Sequence, residues 1–133
     1  MHRLLTVGGL ALVMAVASAS GVASASASSI VFSAHQLISS QPGLYFQGNN
    51  AINAGAGVQF GDGLRCAGGG VIRLQVRFAG GAGASSTTID IAAKGGVAPG
   101  DVKRYQLWYR DPITSTCGAQ FNLSNGVEVT WSA

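Results

Sequence analysis

The sequence predicts an all-β fold: an antiparallel β-sandwich, immunoglobulin-like or jelly-roll-like, of about seven or eight short strands with one disulfide. Apolar and polar residues alternate along many short segments, and glycine-rich loops separate these segments. No stretch after residue 27 shows a convincing helical period. An open barrel is the second fold that this pattern allows. Charged residues make up only 10% of the chain, against about 25% in ordinary domains, which is typical of extracellular β proteins.

The first 27 residues have the pattern of a secretory signal peptide. Met1-His2-Arg3 is a basic start, residues 4–19 are mostly apolar, and small residues continue to Ala27. We predict cleavage after Ala27, and two A-x-A sites further upstream are the alternatives. A membrane anchor is the competing interpretation, but the apolar run is shorter than the ~20 residues that a spanning helix needs.

The rest of the chain, residues 28–133, is predicted to be a single domain without linkers or repeats. It contains all five acidic residues and every basic residue except Arg3, which gives a net charge of +2. This charge is too weak to argue for a nucleic-acid partner. We therefore expect a secreted protein, extracellular or periplasmic, with no membrane span after signal cleavage and no nucleic-acid partner.

Alternation defines the predicted strands and the side chains that they bury. The predicted strands are residues 29–34, 44–47, 58–60, 71–78, 87–92, 103–110, 121–123 and 127–131. The side chains expected to face the core are Ile30, Phe32, Ala34, Leu44, Phe46, Ile72, Leu74, Val76, Phe78, Ile89, Ile91, Val127, Val129 and Trp131. Tyr45 and Gln47 are expected to face outward.

Turn residues between these segments support the strand assignment. Residues 61–63, Gly-Asp-Gly, follow the strand at 58–60, and Ala98-Pro99-Gly100-Asp101 precedes the strand at 103–110. Asn125-Gly126 is a strong hairpin signal. It predicts that residues 121–123 pair with residues 127–131.

The two cysteines, Cys66 and Cys117, are predicted to form a disulfide, because an exported chain folds in an oxidising compartment. Closing a loop of this span stabilises the fold by about 4 kcal/mol in the chain-entropy picture. Two buried thiols are the alternative. A metal site is not expected, since no further ligands lie near either cysteine.

The sequence contains little that suggests catalysis. His35 is the only histidine after residue 27, and it is expected in an exposed loop. The chain has no G-x-S-x-G motif and no nucleotide-binding glycine loop, and its carboxylates are scattered. We therefore expect a protein that is not an enzyme and uses no cofactor and no metal.

Residues 103–112 are the one segment with the character of a binding surface. Alternation places Tyr105, Leu107 and Tyr109 on one face, with Arg104, Gln106, Trp108 and Arg110 on the other. The candidate ligand face comprises Tyr45, Arg104, Trp108 and Arg110, in which an aromatic ring stacks on a sugar and arginines bind acidic groups. Arg73 and Arg77 extend this face if their strand is adjacent. The alternative is that Trp108 packs in the core under an arginine.

The run LYFQG at residues 44–48 resembles the recognition site of a viral protease that is used to remove purification tags. That protease prefers glutamate six residues before the cut, where this chain has Pro42. We interpret the run as native sequence and as part of a strand.

Several motifs resemble a family of uncharacterised secreted bacterial β-domains, which often form the C-terminal module of large exported proteins. The motifs are LYFQG at 44–48, FGDGLRCAGG at 60–69, VIRL at 71–74, PGD at 99–101, YQLWYRDP at 105–112, FNLSNG at 121–126 and VTW at 129–131. The resemblance implies a secreted, β-rich module. It implies no activity and no site residues, since fold alone does not supply them.

The expected function is a non-enzymatic extracellular or cell-surface structural or interaction module, whose partner is a surface protein or a glycan. A carbohydrate-binding module that uses the aromatic and arginine face is the first alternative. An enzyme is the third interpretation.

Overall fold

A computed structural model describes residues 4–7, 10–13, 15–113 and 118–133, with side chains from residue 15 onward. The chain is all-β with antiparallel sheets, as the sequence predicts. The strands are β1 (Leu4–Val7), β2 (Leu10–Val13), β3 (Val16–Ser20), β4 (Val31–His35), β5 (Pro42–Gly48), β6 (Asn50–Ala51), β7 (Val58–Phe60), β8 (Gly63–Arg65), β9 (Ala67–Gly68), β10 (Ile72–Phe78), β11 (Ser85–Ser86), β12 (Val102–Arg110), β13 (Phe121–Leu123) and β14 (Val127–Thr130). A 3-10 turn spans Ile52–Gly55, and a short helix, α1, spans Ile91–Gly95.

The larger sheet is built around β12. Its strand order is β10-β5-β12-β13, and β14 also pairs with β12. The N-terminal half of β12 pairs with β14, from Val102 to Tyr105, and the C-terminal end pairs with β13, from Trp108 to Arg110. One long strand thus has β5 along one edge and two short strands in line along the other.

A smaller sheet has the order β11-β4-β3. Three further antiparallel pairs form between β1 and β2, between β6 and β9, and between β7 and β8. Strand β3 lies in the predicted signal peptide. In the uncut chain β3 pairs with β4, with Val16 opposite His35 at one end and Ser20 opposite Val31 at the other. Cleavage after Ala27 stays a prediction.

One hydrophobic core lies between the two sheets. The smaller sheet contributes Ala17, Phe32 and Ala34, and the larger sheet contributes a set of buried side chains on its inner face. These inner-face residues are Tyr45, Leu74, Tyr105, Leu107, Tyr109 and Val129. The rings of Phe32 and Tyr105 lie 4.4 Å apart between centroids, so the sheets meet through direct aromatic packing.

The predicted burial pattern is correct for β4, β12 and β14. Ile30, Phe32 and Ala34 are buried, and so are Val129 and Trp131. On β12, Tyr105, Leu107 and Tyr109 share one face as predicted, and the structure shows that this face is the one buried in the main core. Alternation thus sorts the side chains of these strands correctly between the two faces.

Strand β10 departs from the predicted alternation. Ile72 and Leu74 pack in the core, but Val76 and Phe78 are 56% and 66% exposed, so their predicted burial is wrong. The register against β5 shifts between Arg73 and Gln75. A β-bulge adds one residue to one strand, and every side chain beyond it changes face.

Residues 87–92 were expected to form a strand, and this prediction is wrong. Asp90 instead caps helix α1, with its carboxylate accepting from the Ala93 backbone N–H at 3.1 Å. Gly96 ends the helix in the left-handed conformation, with φ 61°. Ile91 is still fully buried, since the helix points it into the core.

Strands β13 and β14 do not form the predicted hairpin, because each pairs with β12. The segment between them is buried instead of forming a solvent-exposed turn. The Ser124 backbone N–H donates to the Leu107 carbonyl at 2.9 Å, and the Ser124 hydroxyl accepts from the Leu107 N–H at 2.9 Å. Asn125 reaches across to β3. These contacts hold the segment against the two sheets.

Within the part of the chain that the structure describes, no helix has the length and apolar character needed to cross a membrane.

Candidate functional site

A groove crosses the outer face of the larger sheet. Its first part is an open cavity of about 150 Å³, lined by Leu44, Phe46, Phe60, Arg65, Val71, Arg73 and Trp108. Its second part, of about 160 Å³, shares Leu44 and Trp108 and continues along Pro42, Val76 and Arg110. We call these two adjoining cavities the outer groove.

Strand pairing explains how residues distant in sequence meet in the outer groove. Leu44 is the register partner of Trp108 on one side and of Val76 on the other. Phe46 is the partner of Arg73. Side chains at paired positions lie on the same face of a sheet, so β5 brings Trp108 and Arg73 together although one strand separates them.

Two aromatic rings of the groove lining, Phe60 and Trp108, pack against each other and against Phe121. Phe60 lies 5.4 Å from Trp108 and 5.3 Å from Phe121, and Trp108 lies 5.7 Å from Phe121, measured between ring centroids. All three pairs are edge-to-face, the geometry that aromatic pairs prefer. Gly61 makes this possible, because a Cβ at this position would overlap the Phe121 ring. Trp108 is thereby fixed while part of its surface stays accessible.

Arginines supply the charge of the groove. The Arg65 guanidinium carbon lies 6.0 Å from the ring centroids of both Phe46 and Phe60, and its Nε donates to the Ala67 carbonyl at 3.2 Å. These contacts hold Arg65 in place. Arg73 and Arg110 are exposed. Among the described residues that line the two cavities, none is acidic, so the groove is electropositive.

The structure brings together only part of the predicted ligand face. Trp108 and Arg110 line the outer groove. Arg73, which was expected to extend the ligand face if its strand is adjacent, also lines it. Arg104 lies outside the groove lining, where its Nε donates to the Glu128 carboxylate at 3.0 Å and another N–H to the Asn49 carbonyl at 2.8 Å. Arg77 does not line the groove.

Tyr45 lies on the opposite face of the sheet from Trp108. It is 3% exposed, as part of the main core, and its hydroxyl lies 2.7 Å from the Ser85 hydroxyl. Burial raises the pKa of Tyr45, partly offset by this hydrogen bond and by the charge of Arg77. The expectation that Tyr45 and Gln47 face outward is wrong, because the inner face of β5 carries the polar partners that both side chains need. Gln47 donates to the Gly95 carbonyl and accepts from the Tyr105 hydroxyl.

Sequence reasoning missed three residues of the site: Phe46, Phe60 and Arg65. Phe46 was assigned to the core, and it does form a second hydrophobic cluster with Ala67 and Leu123 on the outer side of the sheet. The hairpin of β7 and β8 carries Phe60 and Arg65 over this cluster. Only the strand order could have shown that this hairpin borders Trp108.

The described residues contain no group of three His, Cys, Asp or Glu side chains that could hold a metal ion. His35 is exposed at the end of β4. Cys66 is buried, and its backbone N–H donates to Gln106 Oε1 at 2.8 Å. The predicted partner of Cys66, Cys117, lies outside the described residues, so the disulfide stays a prediction.

Comparisons with protein-family models, with curated protein sequences and with solved structures find no match to this chain.

Proposed function

We propose that the chain is a secreted, non-enzymatic extracellular interaction module, and that its outer groove binds carbohydrate carrying acidic groups. The observation that carries this proposal is a cavity whose lining includes three aromatic rings and two arginines, with no acid among its described lining residues. The resemblance to secreted bacterial β-domains agrees with it. The groove and the resemblance together favour binding over catalysis.

The shape of the groove suits an extended ligand. Its two cavities of about 150 and 160 Å³ are each smaller than the roughly 300–1,000 Å³ of pockets for drug-sized molecules. They adjoin at Leu44 and Trp108, so a chain-like ligand can run from Arg73 past Trp108 to Arg110. The Trp108 ring offers a flat apolar surface for a sugar face, and each guanidinium can form paired hydrogen bonds to a carboxylate or sulfate.

The finer fold proposed for this module is a β-sandwich, immunoglobulin-like or jelly-roll-like, closed by a Cys66–Cys117 disulfide. The shared core between the two sheets supports the sandwich. The disulfide is tested by thiol titration of the denatured protein before and after reduction. No reactive thiol before reduction and two after it is the expected result, and two thiols before reduction would contradict the disulfide.

Binding is tested with a uronic-acid oligosaccharide and a neutral oligosaccharide of the same length, by calorimetry at low salt. We expect the acidic ligand to bind more tightly. Arg73→Ala removes a charge-assisted contact of about 1.5–3 kcal/mol, so we expect affinity to fall by a factor of about 10 or more. Trp108→Ala should weaken binding of both ligands.

The control is Lys94→Ala, which removes an exposed positive charge from helix α1, outside the groove. It should leave the affinity unchanged. If Arg73→Ala and Lys94→Ala have equal effects, only the net charge matters and the groove is not the site. If neither oligosaccharide binds, the carbohydrate proposal is overturned.

A protein partner is the second candidate, and the exposed part of β10 favours it. Val76 and Phe78 are 56% and 66% exposed on a strand at the sheet edge. Exposed apolar side chains on an edge strand mark association surfaces. Sedimentation at rising concentration tests self-association, and Phe78→Ser should abolish any assembly that uses this surface.

A further inference from the structure

Strand β3 is held along both of its edges. On one edge it pairs with β4. On the other, the Asn125 side chain forms two hydrogen bonds to Ala17: its Oδ1 accepts from the backbone N–H at 2.7 Å, and its Nδ2 donates to the carbonyl at 3.0 Å. The Tyr109 hydroxyl accepts from the Ala15 N–H at 3.0 Å. A side-chain amide that contacts both backbone groups of one residue recognises extended backbone independently of the side chain.

The place in the fold that Ala17 occupies accepts only small side chains. Ala15 and Ala17 are 0% and 8% exposed. The space beside Ala17, lined by residues that include Phe32, Tyr45 and Tyr105, measures about 10 Å³, which is about the size of one water molecule. The remaining side chains of β3 from Ser18 onward are exposed. The site therefore selects for an extended strand with a small residue at the Ala17 position.

The residues that hold β3 lie after the predicted cleavage site, and β3 itself lies before it. The segment after β3 also forms hydrogen bonds to the last residues of the chain. The Ala25 N–H donates to the Ser132 carbonyl at 2.7 Å, and the Ser132 N–H donates to the Ala23 carbonyl at 2.8 Å. Release of residues 1–27 would free one edge of β4, which keeps β11 on its other edge, and would remove the partners that Asn125 and Tyr109 have at Ala17 and Ala15. Strand edges without partners take up extended chains.

We propose that β4, Asn125 and Tyr109 form an acceptor site for an extended peptide strand, which β3 occupies in the uncut chain and a partner protein supplies after cleavage. The partner segment is extended, carries small residues at alternate positions and resembles residues 15–20. A second cut copy does not supply it, since cleavage removes this segment from every copy. The proposal rests on the predicted cleavage but not on the outer groove, which lies on the other face of the larger sheet.

The test uses the full chain with a specific protease site inserted after the exposed Ala27. After the cut, residues 15–27 are still seated and the protein starts folded. The probe is a fluorescent synthetic peptide of residues 15–27, added in excess, and uptake is followed by anisotropy. We expect the cut protein to take up the peptide and the uncut protein not to do so. A peptide with Ala17→Trp should bind at least about tenfold more weakly, because its ring exceeds the available space.

A protein variant distinguishes backbone recognition at this site from nonspecific peptide binding. Asn125→Ala removes two hydrogen bonds of about 1 kcal/mol each, so peptide affinity should fall by at least about tenfold. Circular dichroism of the uncut variant establishes that it is folded. Equal binding of the wild-type and Ala17→Trp peptides would overturn the proposal, and so would absence of uptake, whether the cut protein stays folded or unfolds. Dimerisation of the cut protein without peptide uptake would likewise overturn it.

Discussion

Gln106 shows how one buried side chain connects the central strand to the groove. It is 2% exposed on the outer face of β12. Its Oε1 accepts from the N–H groups of Cys66 and Ala67 at 2.8 and 3.1 Å, and its Nε2 donates to the carbonyls of Leu64 and Ser124 at 3.0 and 2.7 Å. All the hydrogen-bonding capacity of the amide is used. Because Leu64 and Cys66 flank Arg65, this amide also positions the arginine that borders the groove.

Replacing Gln106 with alanine leaves backbone groups of four residues without this partner, and those of Cys66, Ala67 and Ser124 are buried. Each unpaired buried group costs about 1–3 kcal/mol, so we expect Gln106→Ala to lower the free energy of unfolding by at least about 3 kcal/mol. Urea denaturation measures this change. Gln75→Ala is the control, since Gln75 bonds Thr88 at an exposed position, and it should cost less than about 1 kcal/mol. Similar losses for both variants would contradict the role assigned to Gln106.

At the scale of the element, alternation predicts strands well where each strand keeps a regular pleat. The sequence identifies β12 and both of its faces, because every second residue is apolar or aromatic and no extra residue interrupts the pairing. Alternation fails on β10 because of the bulge between Arg73 and Gln75. This bulge arises from the pairing with β5, and the sequence of β10 alone does not indicate it. Alternation also fails on α1 because five residues are too few to establish a helical period, although Asp90 and Gly96 are ordinary capping residues.

The candidate site was predictable only in part, for a related reason. Trp108 and Arg110 share a face of one strand, and alternation places them together. Alternation along residues 44–47 predicts that Leu44 and Phe46 face the core and Tyr45 faces outward, but which face of β5 meets which face of β12 depends on register. Phe60 and Arg65 enter the site through long-range packing of a hairpin, which no local pattern in a single sequence encodes.

The position of β5 predicts how the LYFQG run behaves toward the tag-removing protease. Strand β5 pairs with β10 on one side and β12 on the other, and Phe46 and Gln47 are buried. A protease binds its substrate as an extended single strand, so cutting requires β5 to open first. We expect cleavage between Gln47 and Gly48 to be slower in the native protein than in a peptide of residues 40–52 by at least about a hundredfold.

Electrophoresis over a time course measures this cleavage, and mass spectrometry identifies the cut. The isolated peptide is the necessary control, since Pro42 stands where the protease prefers glutamate. Cutting of the native chain at the rate of the peptide would show that residues 44–48 are not held in the sheet in solution.

At the scale of the whole molecule, the larger sheet is covered on both faces. Its inner face packs on the smaller sheet through the main core, and part of its outer face packs under the β7–β8 hairpin and β9 through the cluster of Phe46, Ala67 and Leu123. The outer groove is the uncovered remainder of that face. The binding surface and the core thus share the same strands, and this arrangement keeps the groove rigid.

All three tyrosines of the chain lie in the main core, and this links global stability to alkaline pH. Burial, the largest cause, raises the pKa of Tyr105 and Tyr109 to about 12, while hydrogen bonds to Trp131 and to the Ala15 backbone act in the opposite direction. In the unfolded chain a tyrosine titrates near pH 10. The native state therefore binds more protons than the unfolded state between about pH 10 and 12.

The free energy of unfolding should thus be unaffected by these tyrosines below about pH 10 and should fall as pH rises toward 12. Each of these tyrosines contributes a slope of up to about 1.4 kcal/mol per pH unit in this range. Urea titrations at a series of pH values measure the slope, and tyrosinate absorbance should rise together with unfolding. In the uncut chain, Tyr109→Phe lowers the free energy of unfolding at neutral pH, because the Ala15 N–H loses its acceptor. It also makes the loss of stability with rising pH shallower, because one titrating tyrosine is gone. An unchanged slope in this variant, or tyrosinate absorbance in the native state near pH 10, would contradict the burial of these hydroxyls.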